Sequence, residues 1–444
     1  MLTTHAEPTA GELTTTRTSV PAYAWVVFAL TVGLLLSDYM SRQVLNAVFP
    51  LLKTTWNLSD TQLGSLSSVV ALMVGVLTFP LSVLADRWGR VKSIVLMAAL
   101  WSIATLGCAL STNYGEMLLA RAFVGIGEAA YGSVGIAVVL SIFPVRLRST
   151  ITGAFMAGGA FGSVLGMALG GAVAAQLGWR AAFGAMAVMG IVLVVIYRIV
   201  VTEKRIAPLQ PASVSREANG LGMRMSLRAL LKGLFSTRSV VCAYVGSGVH
   251  LLVPAAVWSW LPSFLNRYYG MATGKAAATA ALFVLVTGIG MVVCGNLADR
   301  FSKDNGARKW SIAIAYCLIC FALLAVGLRM PAGPAQLVLI GAAMFFCAGA
   351  AGPSGAMVAN LTPPSIHASA FATLTLANNL LGLAPAAVLT GMAADHIGLL
   401  GALQLVPFAP LVAAVVFLIG KRNYAVDLDR VNALREEAGG HAQR

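Results

Sequence analysis

The nine residues "LADRWGRVK", Leu84 to Lys92, place four charged side chains between two long apolar segments. A shorter copy, "LADR", recurs at Leu297–Arg300, again directly after an apolar segment. Both copies follow the second apolar segment of their half of the chain, so the two halves correspond. A duplicated set of membrane helices is typical of secondary transporters. The repeat therefore predicts a chain built from two related halves.

The composition excludes a soluble protein. Of the 444 residues, 58% are hydrophobic and 10% are charged, and the mean hydropathy is +0.83, whereas soluble domains carry about 25% charged residues. The predicted fold class is an all-α polytopic membrane protein with twelve transmembrane helices in two pseudo-symmetric six-helix bundles, because each apolar segment is long enough for a hydrocarbon core of about 30 Å. The predicted spans are 22–49, 62–84, 93–111, 115–142, 150–175, 181–201, 238–264, 276–298, 310–328, 334–361, 368–392 and 398–420.

The polar gap between spans 6 and 7 divides the chain. We predict an N-terminal tail at 1–21, a first bundle at 22–201, a central loop at 202–237, a second bundle at 238–420 and a C-terminal tail at 421–444. Within the central loop, "SLRALLKGLF" (226–235) combines apolar residues with Arg228 and Lys232, which predicts an amphipathic helix at the membrane surface.

Lysine and arginine are distributed very unevenly between the two sides. With both tails inside, 23 of these residues lie on the cytoplasmic side, 5 on the other side and 2 within spans. The excess of positive residues predicts that both termini are cytoplasmic, in a multi-pass protein of the cell membrane. It also explains the net charge of +14 through membrane lipids as partners, without a role for nucleic acid.

Four charges lie deep inside the predicted spans: Asp38 and Arg42 in span 1, and Arg121 and Glu128 in span 4. A charged residue at the membrane centre costs about 2.5–3.5 kcal/mol or more, which makes a functional role the default hypothesis. The spacing of each pair places its members on one face of a helix. We expect Asp38 to meet Arg121 and Glu128 to sit deeper and less paired. A static cluster that only joins the two helices is the alternative.

These residue types suggest separate roles. A desolvated carboxyl group without a close cation favours its protonated form, so Glu128 is the candidate for proton coupling, and Asp38 is the candidate for a charge-pair switch. Arg42 or Arg121 could bind an anionic substrate group, because arginine is always charged. His250, in span 7, is a candidate either for cavity lining or for packing.

The stretch around Asp86 resembles the loop motif of the major facilitator superfamily. Asp86, Arg87, Gly89, Arg90 and Lys92 match it, and the second copy keeps Gly295, Asp299 and Arg300. The resemblance implies the twelve-helix fold and alternating access. It also implies a gate at the cytoplasmic face, formed by Asp86, Arg87, Gly89, Arg90, Asp299 and Arg300.

Several further stretches are similar to the Spinster-type branch of that superfamily: "DYMSRQVL" (38–45), "LSDTQLG" (58–64), "RAFVGIGEAAY" (121–131) and "WSWLPSFLNRYYG" (258–270). The related anion/cation symporter branch shares several of them. The resemblance implies a proton-coupled carrier of a lysophospholipid or sphingolipid-like substrate. The alternatives are a symporter of small organic anions, a drug-type efflux pump and, more remotely, a transporter-like sensor.

The sequence favours a transporter that is not an enzyme. It has no nucleotide-binding loop, so a proton gradient is the expected driving force, without a cofactor or metal. We expect a monomer. The pair Cys317 and Cys320 lies within a span and is interpreted as packing.

Glycines are spaced for close contact between helices. Gly158, Gly162, Gly166 and Gly170 form one stripe of span 5, which indicates tight packing, a moving interface, or both. Gly125 and Gly127 in span 4 also predict close packing.

Overall fold

The computed structural model of this protein describes residues 21–206, 227–303, 306–363 and 366–442. Helices form nearly all of these residues and no strand occurs among them, which confirms the predicted all-α fold class. The spans are Ala22–Trp56 (span 1), Asp60–Trp88 (2), Arg90–Leu110 (3), Tyr114–Glu128 with Tyr131–Ile142 (4), Arg148–Leu177 (5), Trp179–Val200 (6), Arg238–Tyr269 (7), Thr273–Phe301 (8), Ala307–Gly327 (9), Pro334–Cys347 with Ala351–Asn360 (10), His367–Ala377 with most of Ala384–Leu405 (11), and the end of that helix with Phe408–Ala442 (12).

Eleven helices of the described chain are long and apolar enough to cross a membrane. The last of these contains both span 11 and the beginning of span 12. Gly398, with φ of 75° and ψ of 159°, breaks the helical geometry between the two. Because a left-handed φ is accessible to glycine at little cost, this residue allows the chain to reverse without a loop.

The C-terminal segment differs from the prediction, because the helix that begins at Phe408 continues to Ala442 rather than ending near residue 420. Its extension is docked on the start of span 7. Asp427 accepts hydrogen bonds from the Ser239 backbone N–H (2.8 Å) and hydroxyl (2.6 Å). Asp427 thereby caps span 7, where a negative charge is favoured.

The predicted amphipathic helix of the central loop is present as Leu227–Leu234. Leu234 is buried against the second bundle, close to Ile366. The predicted N-terminal tail, up to residue 20, and residues 207–226 of the central loop lie outside the described residues.

The glycine stripe of span 5 packs against span 1 over its whole length. A side chain at any of the four glycines would collide with a residue of span 1, at contact distances of 2.5–2.8 Å. The facing pairs are Gly158 with Val32, Gly162 with Leu36, Gly166 with Met40, and Gly170 with Val44. Both helices therefore contribute every fourth residue to one seam, and the seam lies within the first bundle.

The two bundles meet toward the predicted outer face. There, Gly64 of span 2 lies against the backbone of Ala387 in span 11, and Gly171 of span 5 lies against Ala277 of span 8. In the inner half of span 5, by contrast, no described residue lies within 4 Å of the position that a Cβ of Gly153 would occupy. We call this arrangement the outer-closed conformation.

Candidate functional site

The four deep charges predicted from the sequence lie together; we call Asp38, Arg42, Arg121 and Glu128 the charge cluster. Arg42 Nε lies 2.6 Å from Glu128 Oε2 and 3.3 Å from Asp38 Oδ1. The carboxyl groups of Asp38 and Glu128 are also within hydrogen-bonding range of each other. One arginine is therefore shared between two neighbouring acids in the interior of the first bundle.

The predicted pair between Asp38 and Arg121 is wrong. Arg121 donates hydrogen bonds to two backbone carbonyl oxygens, those of Ser41 (3.0 Å) and Leu66 (3.3 Å). Spans 1 and 4 run antiparallel, so Arg121, two turns outward of Glu128, lies beyond the level of Asp38. Arg121 is 1% exposed and joins spans 1, 2 and 4 through their main chains.

The expectation that Glu128 is the less paired acid is also wrong. Besides its contact with Arg42, its Oε1 accepts a hydrogen bond from the Ser41 hydroxyl (3.3 Å). The Arg42 contact at Oε2 is a close ion pair rather than an aligned hydrogen bond. With both acids ionised, the cluster holds two negative and two positive charges and is formally neutral. Whether Glu128 exchanges a proton stays a prediction.

Arg42 is the accessible member of the ion pairs. Its side chain is 22% exposed, whereas the Asp38 and Glu128 side chains are 4% and 0% exposed. Arg42 lies about 30 Å along the helix from the inner end of span 1 and about 21 Å from the outer end. A lipid-facing arginine at that depth would be costly, so its exposed part is best explained by a wet space. The Tyr39 ring, 5.5 Å from its guanidinium carbon, covers another side.

Glycines of span 4 place Glu128 at this depth. A Cβ at Gly125 would collide with Val70 and Met73 of span 2, and one at Gly127 would collide with Trp101 of span 3. The predicted close packing at both glycines is confirmed. The absence of side chains there lets span 4 approach its neighbours and turn its acid toward span 1.

The structure favours the packing role for His250 and does not bring it to the charge cluster. The ring is buried between spans 9 and 10, with Nε2 2.7 Å from the Cys347 carbonyl oxygen and Nδ1 3.3 Å from Cys317 Sγ. Predicted cavity lining by His250 is therefore not supported. The contacts of His250 with Cys317 and Cys347 could not be predicted, because these cysteines are distant from it in the sequence. The ring nitrogens point to different groups, and the described residues contain no set of His, Cys, Asp or Glu arranged to hold a metal.

The structure describes the predicted cytoplasmic gate motif except for the Asp86 side chain. Gly89, with φ of 101°, links spans 2 and 3, and Arg87 and Arg300 are exposed at helix ends. Asp299 lies 3.4 Å from Lys309 within the second bundle and is 76% exposed. Nothing is described for the Asp86 side chain. The role of these residues as a gate stays a prediction.

A second set of charges joins the two bundles at the predicted outer face; we call Lys53, Asp60, Arg267 and Asp395 the outer latch. Asp60 Oδ1 is 2.6 Å from Lys53 Nζ, and both carboxylate oxygens accept from Arg267 (2.8 and 2.6 Å). Asp395, from span 11, accepts from the backbone N–H groups of Asp60 (2.7 Å) and Thr61 (2.9 Å).

Sequence analysis missed the outer latch as a functional set. The start of span 2 carries a visible capping signal, since Ser59 and Gln62 form a reciprocal capping box. Nothing local, however, indicates that Arg267 and Asp395 reach this helix end from the other bundle.

Comparisons with known proteins agree with this architecture. Residues 31–328 match the family model described as Major Facilitator Superfamily. The chain is 27% identical over 323 residues to a probable L-galactonate transporter of Escherichia coli, covering 69% of each chain. It is 26% identical over 372 residues to a gallate transporter of Pseudomonas putida, covering 79% of this chain and 81% of the relative.

The Spinster branch is represented by a sequence relative and a solved structure. The chain is 27% identical over 250 residues to human Protein spinster homolog 1, covering 56% of this chain and 47% of the relative. A bacterial homologue of the human lysosomal transporter Spinster, in an inward-facing and unoccupied conformation, superposes with a TM-score of 0.80 at 18% identity, covering 92% of this chain and 99% of that structure. The family match over residues 31–328 shows that the chain belongs to the Major Facilitator Superfamily.

Proposed function

We propose that this transporter couples a proton to the movement of an organic anion, with Glu128 as the proton site and Arg42 as the anion-binding group. One observation carries the proposal: Arg42 is held by two buried acids and is still the most exposed member of the three. A group in that position can exchange a protein carboxylate for a substrate anion without leaving the cluster.

Charge balance supports coupled binding. In the state described, the two acids neutralise Arg42 and Arg121. When Glu128 binds a proton, the cluster loses one negative charge and Arg42 keeps only Asp38, at 3.3 Å. A carboxylate or phosphate of the substrate then restores neutrality by binding the freed guanidinium. One proton and one negative charge therefore bind together, which corresponds to symport.

Arg121 has a different part in this scheme. Its guanidinium donates hydrogen bonds to the backbone carbonyl oxygens of Ser41 and Leu66. Because these bonds fix its place, it acts as a positioning residue with a fixed positive charge. Asp38 keeps Arg42 oriented while Glu128 changes its protonation.

The substrate class is proposed from the relatives. Carriers of galactonate and gallate, among the similar proteins, support a small organic acid as the first candidate. The Spinster-like fold supports a second candidate, an anionic lysophospholipid. For both, we expect a monomer in the cell membrane with cytoplasmic termini.

Transport into proteoliposomes tests the proposal. Uptake of radiolabelled galactonate, gallate and lysophosphatidylglycerol is measured with and without an imposed pH gradient. For the transported compound, we expect uptake to rise when the outside of the liposomes is more acidic than their lumen, and Glu128→Gln to abolish that pH dependence. Glu116→Gln is the matched control, because Glu116 lies on the same span but is exposed at its outer end.

Two results would contradict the proposal. If none of the three compounds enters faster than into empty liposomes, the substrate assignment fails. If the pH dependence survives in Glu128→Gln, Glu128 is a structural residue and the coupling scheme is wrong.

A further inference from the structure

A row of buried hydroxyl groups runs inward from the charge cluster through the first bundle. The Tyr131 hydroxyl, on span 4, donates to the Thr31 carbonyl oxygen (2.6 Å), and the Thr31 hydroxyl donates to the Val27 carbonyl oxygen (2.7 Å). The Tyr197 hydroxyl, on span 6, lies beside Thr31. At the inner end, the Tyr23 hydroxyl donates to the Val200 carbonyl oxygen (3.0 Å).

The row spans the distance between the cluster and the inner face. Along span 1, Thr31 lies about 12 Å and Asp38 about 22 Å from Tyr23. Tyr131 follows Glu128 by three residues on span 4 and bonds to Thr31, so its side chain lies in the interval between Thr31 and the charge cluster. Thr31 and Tyr131 are fully buried, so the row does not share the exposure of the Arg42 side chain.

One member of the row has no conventional structural role. Tyr197 is fully buried, yet its hydroxyl makes no aligned hydrogen bond with any described residue. A buried polar group without a partner is unfavourable and calls for an explanation, of which a water molecule is the commonest. A phenylalanine would fill the same space without that cost.

Two more buried polar atoms without an aligned partner among the described residues lie beside this row on span 3: Trp101 Nε1 and Ser102 Oγ. Trp101 packs edge-to-face on Tyr131, with ring centroids 4.9 Å apart. The hydroxyls of Ser102 and Ser37 both border Gly190 of span 6. The interior on the inner side of the cluster is thus more polar than helix packing requires.

We propose that Tyr131, Thr31 and Tyr197 form a proton path that links the carboxyl groups of Asp38 and Glu128 to the inner face. The inference rests on the proposed function, since it needs Glu128 to exchange a proton. Each hydroxyl accepts a proton on its oxygen and releases its own proton to the next oxygen, so no charge accumulates on the path. A water molecule at the unpaired Tyr197 hydroxyl completes the row.

The path gives the proton and the substrate separate exits. In the outer-closed conformation, an anion on Arg42 leaves through the space between the bundles, whereas the proton leaves through the interior of the first bundle. The bonds of Tyr131 and Thr31 now end on carbonyl oxygens, so each hydroxyl must rotate before it transfers a proton.

The groups next to the two acids come from spans 1 to 4. Span 1 contributes Arg42 and the Tyr39 ring, and span 4 contributes Arg121. Span 3 contributes the Cys108 thiol, which contacts Arg121. Span 2 offers the backbone carbonyl of Leu66.

Infrared spectroscopy after a pH jump tests the path without a transport substrate. In the purified full-length protein, the carboxyl band that Glu128→Gln removes reports the protonation of Glu128, and its relaxation rate is recorded. We expect Tyr197→Phe and Thr31→Val to slow the rate at least tenfold, and Thr31→Ser, which keeps the hydroxyl, to restore it. Tyr244→Phe is the matched control, because Tyr244 is also buried with an unpaired hydroxyl but lies in the second bundle.

The outcomes separate the two proposals. If Glu128→Gln removes no pH-dependent band, Glu128 does not titrate and the proposed function fails. If the band is present but both Tyr197→Phe and Thr31→Val relax as fast as the unmodified protein, protons reach Glu128 by another route and the path is refuted. Equal melting temperatures of Thr31→Val and Thr31→Ser assign a slowed rate to the lost hydroxyl rather than to misfolding.

Discussion

Replacing Asp60 by asparagine removes the charge on which the outer latch depends. Asp60 accepts both arms of the Arg267 guanidinium across the interface between the bundles, at 2.8 and 2.6 Å. Its pair with Lys53 lies within one bundle, so of the two Asp60 ion pairs it is the one with Arg267 that favours the outer-closed conformation. Asparagine keeps the size of the side chain and one carbonyl acceptor, but loses the ion pair.

The expected magnitude lies between two limits. Exposed ion pairs contribute about 0.2–1 kcal/mol, and removing one partner of a fully buried pair costs about 3–5 kcal/mol. The Asp60 and Arg267 side chains are 5% and 26% exposed. The loss of this pair is therefore expected to cost about 2 kcal/mol, between the two limits. Since 1.4 kcal/mol corresponds to a factor of ten, Asp60→Asn is expected to shift the equilibrium toward an outer-open state about thirtyfold.

Spin labels at the exposed residues Thr55 and Ala272 report that shift in pulsed electron paramagnetic resonance. The outer-open state appears there as a population with a longer distance between the two labels. The background carries Cys242→Ser, because Cys242 is the one native cysteine that is not fully buried. Asp299→Asn is the matched control, since the Asp299 pair lies within one bundle at the inner face. An unchanged distance distribution in Asp60→Asn would refute the idea that this pair biases the conformation.

Three further results are expected. Gly166→Val forces a side chain into the backbone of span 1 and should lower the free energy of unfolding by about 1–3 kcal/mol, seen as a lower melting temperature, whereas Gly153→Val, with open space around it, should melt as the unmodified protein does. Asp427→Asn removes the charged cap of span 7 and should cost about 1 kcal/mol, measured in the same melting assay; no change would mean that the C-terminal helix is not coupled to that helix end. Arg42→Lys keeps the charge but loses the planar fork, so the KM of the transported anion should rise about tenfold with little change in melting temperature, and an unchanged KM would place anion binding elsewhere.

The fold could be predicted because its determinants are local or repeated. The length of the apolar segments and the duplicated "LADR" indicate the two bundles directly. The C-terminal helix was missed beyond residue 420 because its polar residues resemble a tail. It is stabilised by contacts such as the one between Asp427 and Ser239, which join residues far apart in the sequence.

The charge cluster was predicted as a group, but its pairing was not. The cost of burial identifies Asp38, Arg42, Arg121 and Glu128 from sequence alone. Which acid meets which base depends on the relative heights of spans 1 and 4, and a displacement of about one helical turn is enough to exchange partners. The cysteine neighbours of His250 depend likewise on contacts between helices that no local pattern reveals.

The seam between spans 1 and 5 also limits how the molecule can move. At Gly162 and Gly166, a Cβ would meet the backbone of span 1, so the two helices are in contact at their main chains. If one helix slid along the other by one residue, larger side chains would enter the seam. Spans 1 and 5 are therefore expected to move together as one rigid unit. The relative movement of the bundles is expected instead at the boundary between spans 5 and 8, where Gly171 meets Ala277. A covalent bridge between spans 1 and 5 should leave the transport cycle intact, whereas a bridge between spans 5 and 8 should arrest it.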